Sequence, residues 1–348
     1  MGYFHRLHHE TPTRLWINNP TLAEADQAIA AGAISCTTNP SYAARVIKME
    51  PVRARSAIRE AIAEAADDRE AAGRAQLRMV KAIMEKFEPL YDRDPGRQGL
   101  VSIQGDPHGD ADAAAIVDEA LRFRKIGKNF IAKIPCTAAG LKAFEQLIRE
   151  DMPIIATEVF ALAQAFAVCE VYARLAKSCG KHPPFYVTHI SGIFDECLAK
   201  AAEREGVAVS PQALAQAGCI LARKQYALMQ RRGYDVTLMG GGARGTNHFT
   251  ERVGGALHVT INWSTADEII KIDPPVTSRI DSPAPQAVVD ELCEKLPDFR
   301  KAYFEDGLAV DEFADYAPLQ YFRNMFVKGW DALLAAVREQ RAGLQGAA

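Results

Sequence analysis

Short apolar runs alternate with longer stretches of helical periodicity along most of the chain. The runs TRLWIN (13–18), AISCTT (33–38), GLVSIQ (99–104), NFIAKI (129–134), PIIAT (153–157), PFYVT (184–188), YDVTLM (234–239) and ALHVTIN (256–262) are brief and rich in β-branched and aromatic residues, as buried strands are. Between them apolar positions recur at three and four residues, as in ADAAAIVDEALRFRKIG, and TEVFALAQAFAVCEVYARLAKSCG closes on a glycine suited to a helix C-cap. Eight strand patterns, each followed by a helical one, predict an α/β chain folded as a (β/α)8 TIM barrel in preference to a doubly wound sheet.

The spacing also predicts additions to the minimal barrel. Two helical patterns fill 51–90, after the second strand, where one βα crossover needs far less chain. FADYAPLQYFRNMFVKGWDALLAAVREQR reads as a loop and a closing helix whose aromatic residues pack on the barrel. The expected organisation is one domain over residues 1–348, with 1–12 a mobile tail, 273–286 a loop and 287–348 a C-terminal helical extension.

Composition narrows the function classes. With 48% hydrophobic and 24% charged residues, the 348-residue chain suits a globular protein. The net charge of −3, with both signs interleaved, predicts no nucleic-acid partner. Seven scattered cysteines (36, 136, 169, 179, 197, 219 and 293), none in CxxC spacing, predict a reducing cytoplasmic setting rather than a disulfide framework or zinc knuckle. MGYFHRLHHETPTR lacks the apolar core of a signal peptide, and no apolar run reaches membrane-helix length.

In a barrel of this kind, chemistry gathers at the C-terminal ends of the strands. Asn18 ends the first strand pattern, Asn39 follows the second, Gln104 ends the third, Lys133 lies near the end of the fourth, Thr157 ends the fifth, Thr188 and His189 the sixth, and MGGGARG with Arg244 follows the seventh. Alternation places Asn129, Ile131 and Lys133 on one face of their strand. If that face is the interior, desolvation lowers the lysine pKa and supplies a neutral amine able to form a Schiff base; the alternative is a structural lysine, snorkelling or paired with a carboxylate.

AISCTTNPSYAARVI and NFIAKIPCTAAGLKAFEQL, followed in order by IIATEVFALAQAFA and TLMGGGAR, resemble the transaldolase and fructose-6-phosphate aldolase family over about residues 13–270. The resemblance implies a (β/α)8 barrel whose lysine, here Lys133, forms a Schiff base with a ketose. It also implies that Asn39 hydrogen-bonds substrate hydroxyls, that Thr157 helps hold a catalytic water, and that Arg244 binds phosphate. Five positions depart from the pattern. Asn18 stands where the family has an acid/base aspartate, and it cannot take up a proton as a carboxylate does. Gln104 replaces the glutamate that activates water in transaldolases and matches the glutamine of the aldolase branch. Thr188 stands at a serine site, and Ile190 and Ile193 stand at an aromatic and a second phosphate-binding arginine site.

Other motifs have competing readings. Gly240, Gly242 and Gly245 satisfy GxGxxG, with Asp267 downstream; a dinucleotide fingerprint is one reading, and a phosphate loop whose backbone N–H groups and Arg244 face an anion is preferred. Asp106, His108 and Asp110, and the trio His5, His8 and His9, are read as a solvated loop and a polar tail rather than metal ligands. Ser191 lacks a nucleophile-elbow motif, and His189 is a candidate acid/base group with a core histidine as its alternative. The expectation is a transaldolase-like transferase or class I aldolase of carbohydrate metabolism. Lys133, Asn18, Gln104 and Thr157 serve catalysis and Asn39, Thr188 and Arg244 hold substrate, a sugar or sugar phosphate. No cofactor, metal or membrane is involved, and a homo-oligomer is left open. The alternative is a barrel that binds a sugar or phosphosugar without cleaving it; nicotinamide-dependent oxidoreduction is a third reading.

Overall fold

The computed structural model describes residues 2–346. Strands β1 (Arg14–Asn18), β2 (Ser35–Thr37), β3 (Val101–Ile103), β4 (Phe130–Pro135), β5 (Ile154–Val159), β6 (Phe185–Ile190), β7 (Thr237–Gly241) and β8 (His258–Ile261) form a closed parallel barrel in chain order. Leu15 opposite Val259 and Ile17 opposite Ile261 seal the junction of β1 with β8. All eight expected strands are present, and the chain is the (β/α)8 TIM barrel its pattern predicts.

The helices are α1 (Tyr3–Glu10), α2 (Leu22–Ala31), α3 (Ser41–Met49), α4 (Pro51–Glu64), α5 (Asp68–Arg93), α6 (Ala113–Phe123), α7 (Ala138–Arg149), α8 (Leu162–Cys179), α9 (Gly192–Glu205), α10 (Pro211–Leu214), α11 (Ala217–Arg232), α12 (Asn247–Thr250), α13 (Trp263–Ile272), α14 (Gln286–Lys295), α15 (Pro297–Tyr303) and α16 (Ala317–Gly346). The segment after β2 thus carries α3, α4 and α5. Thr137 caps α7 by accepting the Gly140 N–H, and Gly180 closes α8 in the left-handed conformation.

Strand alternation explains why one end of the barrel is apolar and the other polar. Trp16, Leu100, Ile131, Ile155, Tyr186 and Met239 pack together as one buried layer. Two residues further along their segments stand Asn18, Ser102, Lys133, Thr157, Thr188 and Gly241, which the two-residue period keeps on the same face. The apolar layer is the floor of the site, and the polar residues above it are its walls.

Two peripheral elements bear on the site. Residues 3–10 form α1 instead of a mobile tail. Tyr3, Phe4 and Leu7 are buried, and the Phe4 ring meets Phe249 edge-on at 5.2 Å between centroids. Apolar residues one helical turn apart make this face cohere, and two of the histidines dock it. His5 Nε2 bonds the Ala30 carbonyl oxygen, and His8 Nε2 accepts the Leu15 N–H. Phe4→Ala is expected to cost about 3–5 kcal/mol, read as a lowered denaturation midpoint at constant m-value. At the other terminus, α16 packs against α3, α4, α5, α9 and β5 and brings Phe322, Met325 and Phe326 over the polar end of the barrel.

Candidate active site

A cavity of about 530 Å³ opens at the C-terminal end of the barrel, lined from below by Asn18, Thr37, Lys133, Thr157, Thr188 and Thr260. That is room for a small polyhydroxylated molecule.

Lys133 lies near its centre, 8% exposed. Among the described residues its ammonium has no ion pair. Its Nζ donates a long bond of 3.5 Å to the Thr38 carbonyl oxygen and sits 5.5 Å from the centroid of the Phe326 ring. Burial pushes its pKa from 10.5 down to about 8, although the Glu158 carboxylate pulls the other way. About a tenth of the side chain is then a neutral amine at pH 7, against about one part in three thousand at the ordinary value. The reading of Lys133 as snorkelling, or as tied directly to a carboxylate, has no support in this geometry.

Glu158 is the group the strand pattern hid. The expected strand ends at Thr157, yet β5 continues to Val159 through a bulge. Ala156 pairs with Val187 and Val159 with His189, three residues against two. Inside the bulge Glu158 takes φ +59°, a conformation that costs a non-glycine residue about 1–2 kcal/mol. Gln164 holds it there: its Oε1 accepts the Phe160 and Ala161 N–H groups, and its Nε2 donates to the carbonyls of Cys136 and Glu158. The Glu158 side chain is fully buried and accepts a 2.9 Å bond on Oε1 from Gln104 Nε2. Burial, with Asp110 adding to it, pushes its pKa up to about 7 against the pull of Gln104 and Lys133. Glu158 Oε2, Gln104 Oε1, Thr157 Oγ1 and Thr188 Oγ1 are all buried without a protein partner, an uncommon concentration of unsatisfied polar atoms.

The other expected residues divide. Asn39 Oδ1 accepts from Asn19 Nδ2 and the Ser41 N–H, which orients its amide N–H groups without using them. Asn18 is committed at both ends, donating to Asn262 Oδ1 and accepting from Thr37 Oγ1. Arg244 lines the rim of the cavity, and its Nε donates to Glu196 Oε2 at 2.8 Å. Burial alone would raise the Glu196 pKa, but hydrogen bonds from Lys200, Tyr321 and Arg244 hold it at about 2. Ile190, Ile193, Phe322, Met325 and Phe326 make that side of the cavity apolar, while Arg45 and Lys48 of α3 lie on its lining too.

The glycine-rich loop differs from the preferred reading. The backbone N–H groups of Arg244 and Gly245 both point at His248 Nδ1, and His248 is fixed through Nε2 to Asp195 at 2.8 Å. These amides are spent within the loop instead of facing an anion. Gly242 has φ +67°, and a Cβ there would meet Ile190 Cγ2 at 2.6 Å, so backbone geometry accounts for that glycine. His189 is fully buried, bonds the Gly218 carbonyl oxygen and is pushed by burial down to about 3; it is a core histidine. Asp106, His108 and Asp110 turn to separate partners, Arg69, Asp331 and Arg323.

Sequence reasoning missed Glu158 and Glu196, and it packed the α16 aromatics on the barrel without assigning them to the site. The one local signal was a carboxylate in the apolar run IIATEVFALAQAF, which poses the same question as the lysine in NFIAKI.

The sequence profile described as "Transaldolase/Fructose-6-phosphate aldolase" matches residues 15–337. A protein named "Transaldolase" from Thiobacillus denitrificans is 36% identical over 88 residues, 25% of this chain and 24% of that protein. "Transaldolase 1" of Streptomyces avermitilis is 31% identical over 159 residues, 42% of each chain, and "Transaldolase" of Helicobacter pylori 32% over 91 residues, 26% of this chain and 28% of that protein. The matched segments thus span less than half the length of these curated relatives. With the family profile running from β1 into α16 and a buried lysine at the mouth of a parallel barrel, the chain belongs to the transaldolase/fructose-6-phosphate aldolase family.

Proposed function

We propose that the protein is a Schiff-base enzyme of the transaldolase or class I aldolase kind, which cleaves or transfers a three-carbon dihydroxyacetone unit of a ketose or ketose phosphate. The observation that carries this reading is Lys133: a nearly buried amine with a lowered pKa and, among the described residues, no ion pair, in a cavity of sugar size. The neutral amine attacks the C2 carbonyl, and the resulting iminium draws electrons from the C3–C4 bond as it breaks. The three-carbon enamine then either attacks an aldehyde acceptor or is protonated and hydrolysed. Asn39 and Thr188 offer hydrogen bonds to substrate hydroxyls, Thr157 and Gln104 to the reacting water, and Asn18 stiffens the wall between β1 and β8. The iminium is itself the electron sink, so this route calls for neither metal nor organic cofactor.

Arg244 offers the anion contact at the tail end of the cavity, beside an apolar Ile193. Ile193→Arg is expected to lower KM for fructose 6-phosphate about tenfold by adding a charge-assisted hydrogen bond, with little effect on dihydroxyacetone.

The test of the reading is to incubate the protein with dihydroxyacetone or fructose 6-phosphate, reduce with borohydride and measure intact mass. An adduct of the reduced ketone on Lys133 supports it; none with a broad ketone panel overturns it. The second reading, a sugar-binding barrel without cleavage, draws on the absence of any carboxylate among the residues lining the cavity. Turnover of any ketose eliminates it.

A further inference from the structure

Imine chemistry at Lys133 needs a proton donor and acceptor, and among the described residues the cavity lining has no side chain suited to the task. Its ionisable members are Lys133, Arg45, Lys48 and Arg244; it includes no carboxylate, imidazole, thiol or phenol. A carbinolamine loses hydroxide only slowly unless an acid protonates it, and the imine is hydrolysed slowly unless a base takes a proton from water.

We propose that Glu158 is the proton-relay carboxylate of this site, giving and taking the proton exchanged at the carbinolamine oxygen on Lys133. This rests on the Schiff-base reading above. Three structural facts carry it. Glu158 is fully buried yet has an oxygen, Oε2, with no protein partner. Its other oxygen is held by Gln104, which fixes the carboxylate across the end of β4, the strand that bears Lys133. A strained backbone is maintained at this residue by the four bonds of the buried Gln164, although an apolar residue here would avoid burying a carboxylate.

The step balances without any further reagent. Glu158 gives its proton to the carbinolamine hydroxyl; the C–O bond breaks with its electron pair leaving on oxygen as water. The nitrogen lone pair forms the C=N bond, and a protonated imine is left near a carboxylate. Hydrolysis runs in reverse: the carboxylate takes a proton from water as the water oxygen adds to the imine carbon and the C=N electrons return to nitrogen. The water released and consumed is the link between Glu158 and the reacting carbon, and Thr157 Oγ1 and Gln104 Oε1 are unpartnered acceptors beside that path.

The charged and titratable groups facing Glu158 are Lys133 on β4, Asp110 after β3, Arg323 on α16 and Cys136 after β4. Asp110 and Arg323 form a two-bond ion pair, so the Arg323 guanidinium offsets only part of the upward push that Asp110 exerts on Glu158. Burial pushes the Cys136 thiol well above its ordinary range, leaving it neutral. The remaining couple, Glu158 near 7 and Lys133 near 8, makes the protonated acid and the free amine coexist best between those values. The rate of imine formation should therefore be bell-shaped in pH, falling on the alkaline side as Glu158 loses its proton.

The experiment is the rate of borohydride-trapped adduct formation with dihydroxyacetone as a function of pH, in wild type, Glu158→Gln and Glu158→Gly. Glycine suits the positive φ at this position, so Glu158→Gly should melt no lower than wild type while leaving space for a small acid. Expected are a rate about 100-fold lower in both variants, loss of the alkaline fall in Glu158→Gln, and partial recovery of Glu158→Gly by added formate. Variants that trap at the wild-type rate overturn this inference alone. A slower rate with an unchanged pH profile and no formate rescue also overturns it, as a structural role. A wild type that gives no adduct with dihydroxyacetone or with any member of the broad ketone panel overturns the Schiff-base reading and this inference with it.

Discussion

Lys133→Met is expected to abolish the borohydride-trapped adduct and lower ketose turnover by about 10³-fold or more, while making the protein more stable at neutral pH. The two effects have one cause. The folded-state pKa of Lys133 is depressed from 10.5 to about 8, so the unfolded chain binds the proton more tightly and folding carries a penalty below pH 8. A shift of this size corresponds to about 3 kcal/mol. Stability should rise as pH climbs from 8 to 10.5, and methionine, close to lysine in length and apolar, removes the penalty outright. Denaturant titrations at pH 7 and at pH 10.5 check this: the variant should be the more stable at pH 7, with the gap closing at the higher pH. Equal stability at both would mean that the lysine is hydrated and its pKa ordinary.

Phe326→Ala tests the other half of that environment. The Phe326 ring is 1% exposed, packs on Phe322 at 4.3 Å between centroids and lies 5.5 Å from the lysine nitrogen. Truncation should cost about 3–5 kcal/mol. It should also admit water beside Lys133, moving its pKa back towards 10.5, so that imine formation slows at neutral pH and the alkaline limb of its profile moves to higher pH. Phe326→Leu, which keeps most of the volume, should retain the wild-type limb. A profile unmoved by Phe326→Ala would show that the strands, and not α16, keep the amine dry.

Lys133 and Glu158 show how far the sequence could be read. Lys133 was legible because an intact strand obeys a two-residue period, and Ile131 below it faces the apolar layer. Glu158 was not, because the same count stops being valid inside a bulge: one extra residue on β5 re-aims everything after Ala156. The closed barrel followed from repeated local patterns, whereas α1 was missed because its eight residues bury Tyr3, Phe4 and Leu7 beneath a surface rich in histidine. The pairing of Arg244 with Glu196, and of Lys133 with Phe326, links residues 48 and 193 positions apart. No local periodicity encodes such contacts. Motif resemblance drew attention to Arg244 but could not reveal that the N–H groups of its loop are turned inward to His248.

The long helix α16 also sets an order of events. It is made after every strand, yet it supplies the roof of a cavity whose floor lies in β1, β4, β5, β6 and β7. On the ribosome, every strand can emerge and pair before Phe322 and Phe326 exist. Until then Lys133 faces water and keeps its proton. A nascent chain therefore carries this amine in its protonated form, and its pKa falls only when the helix lands.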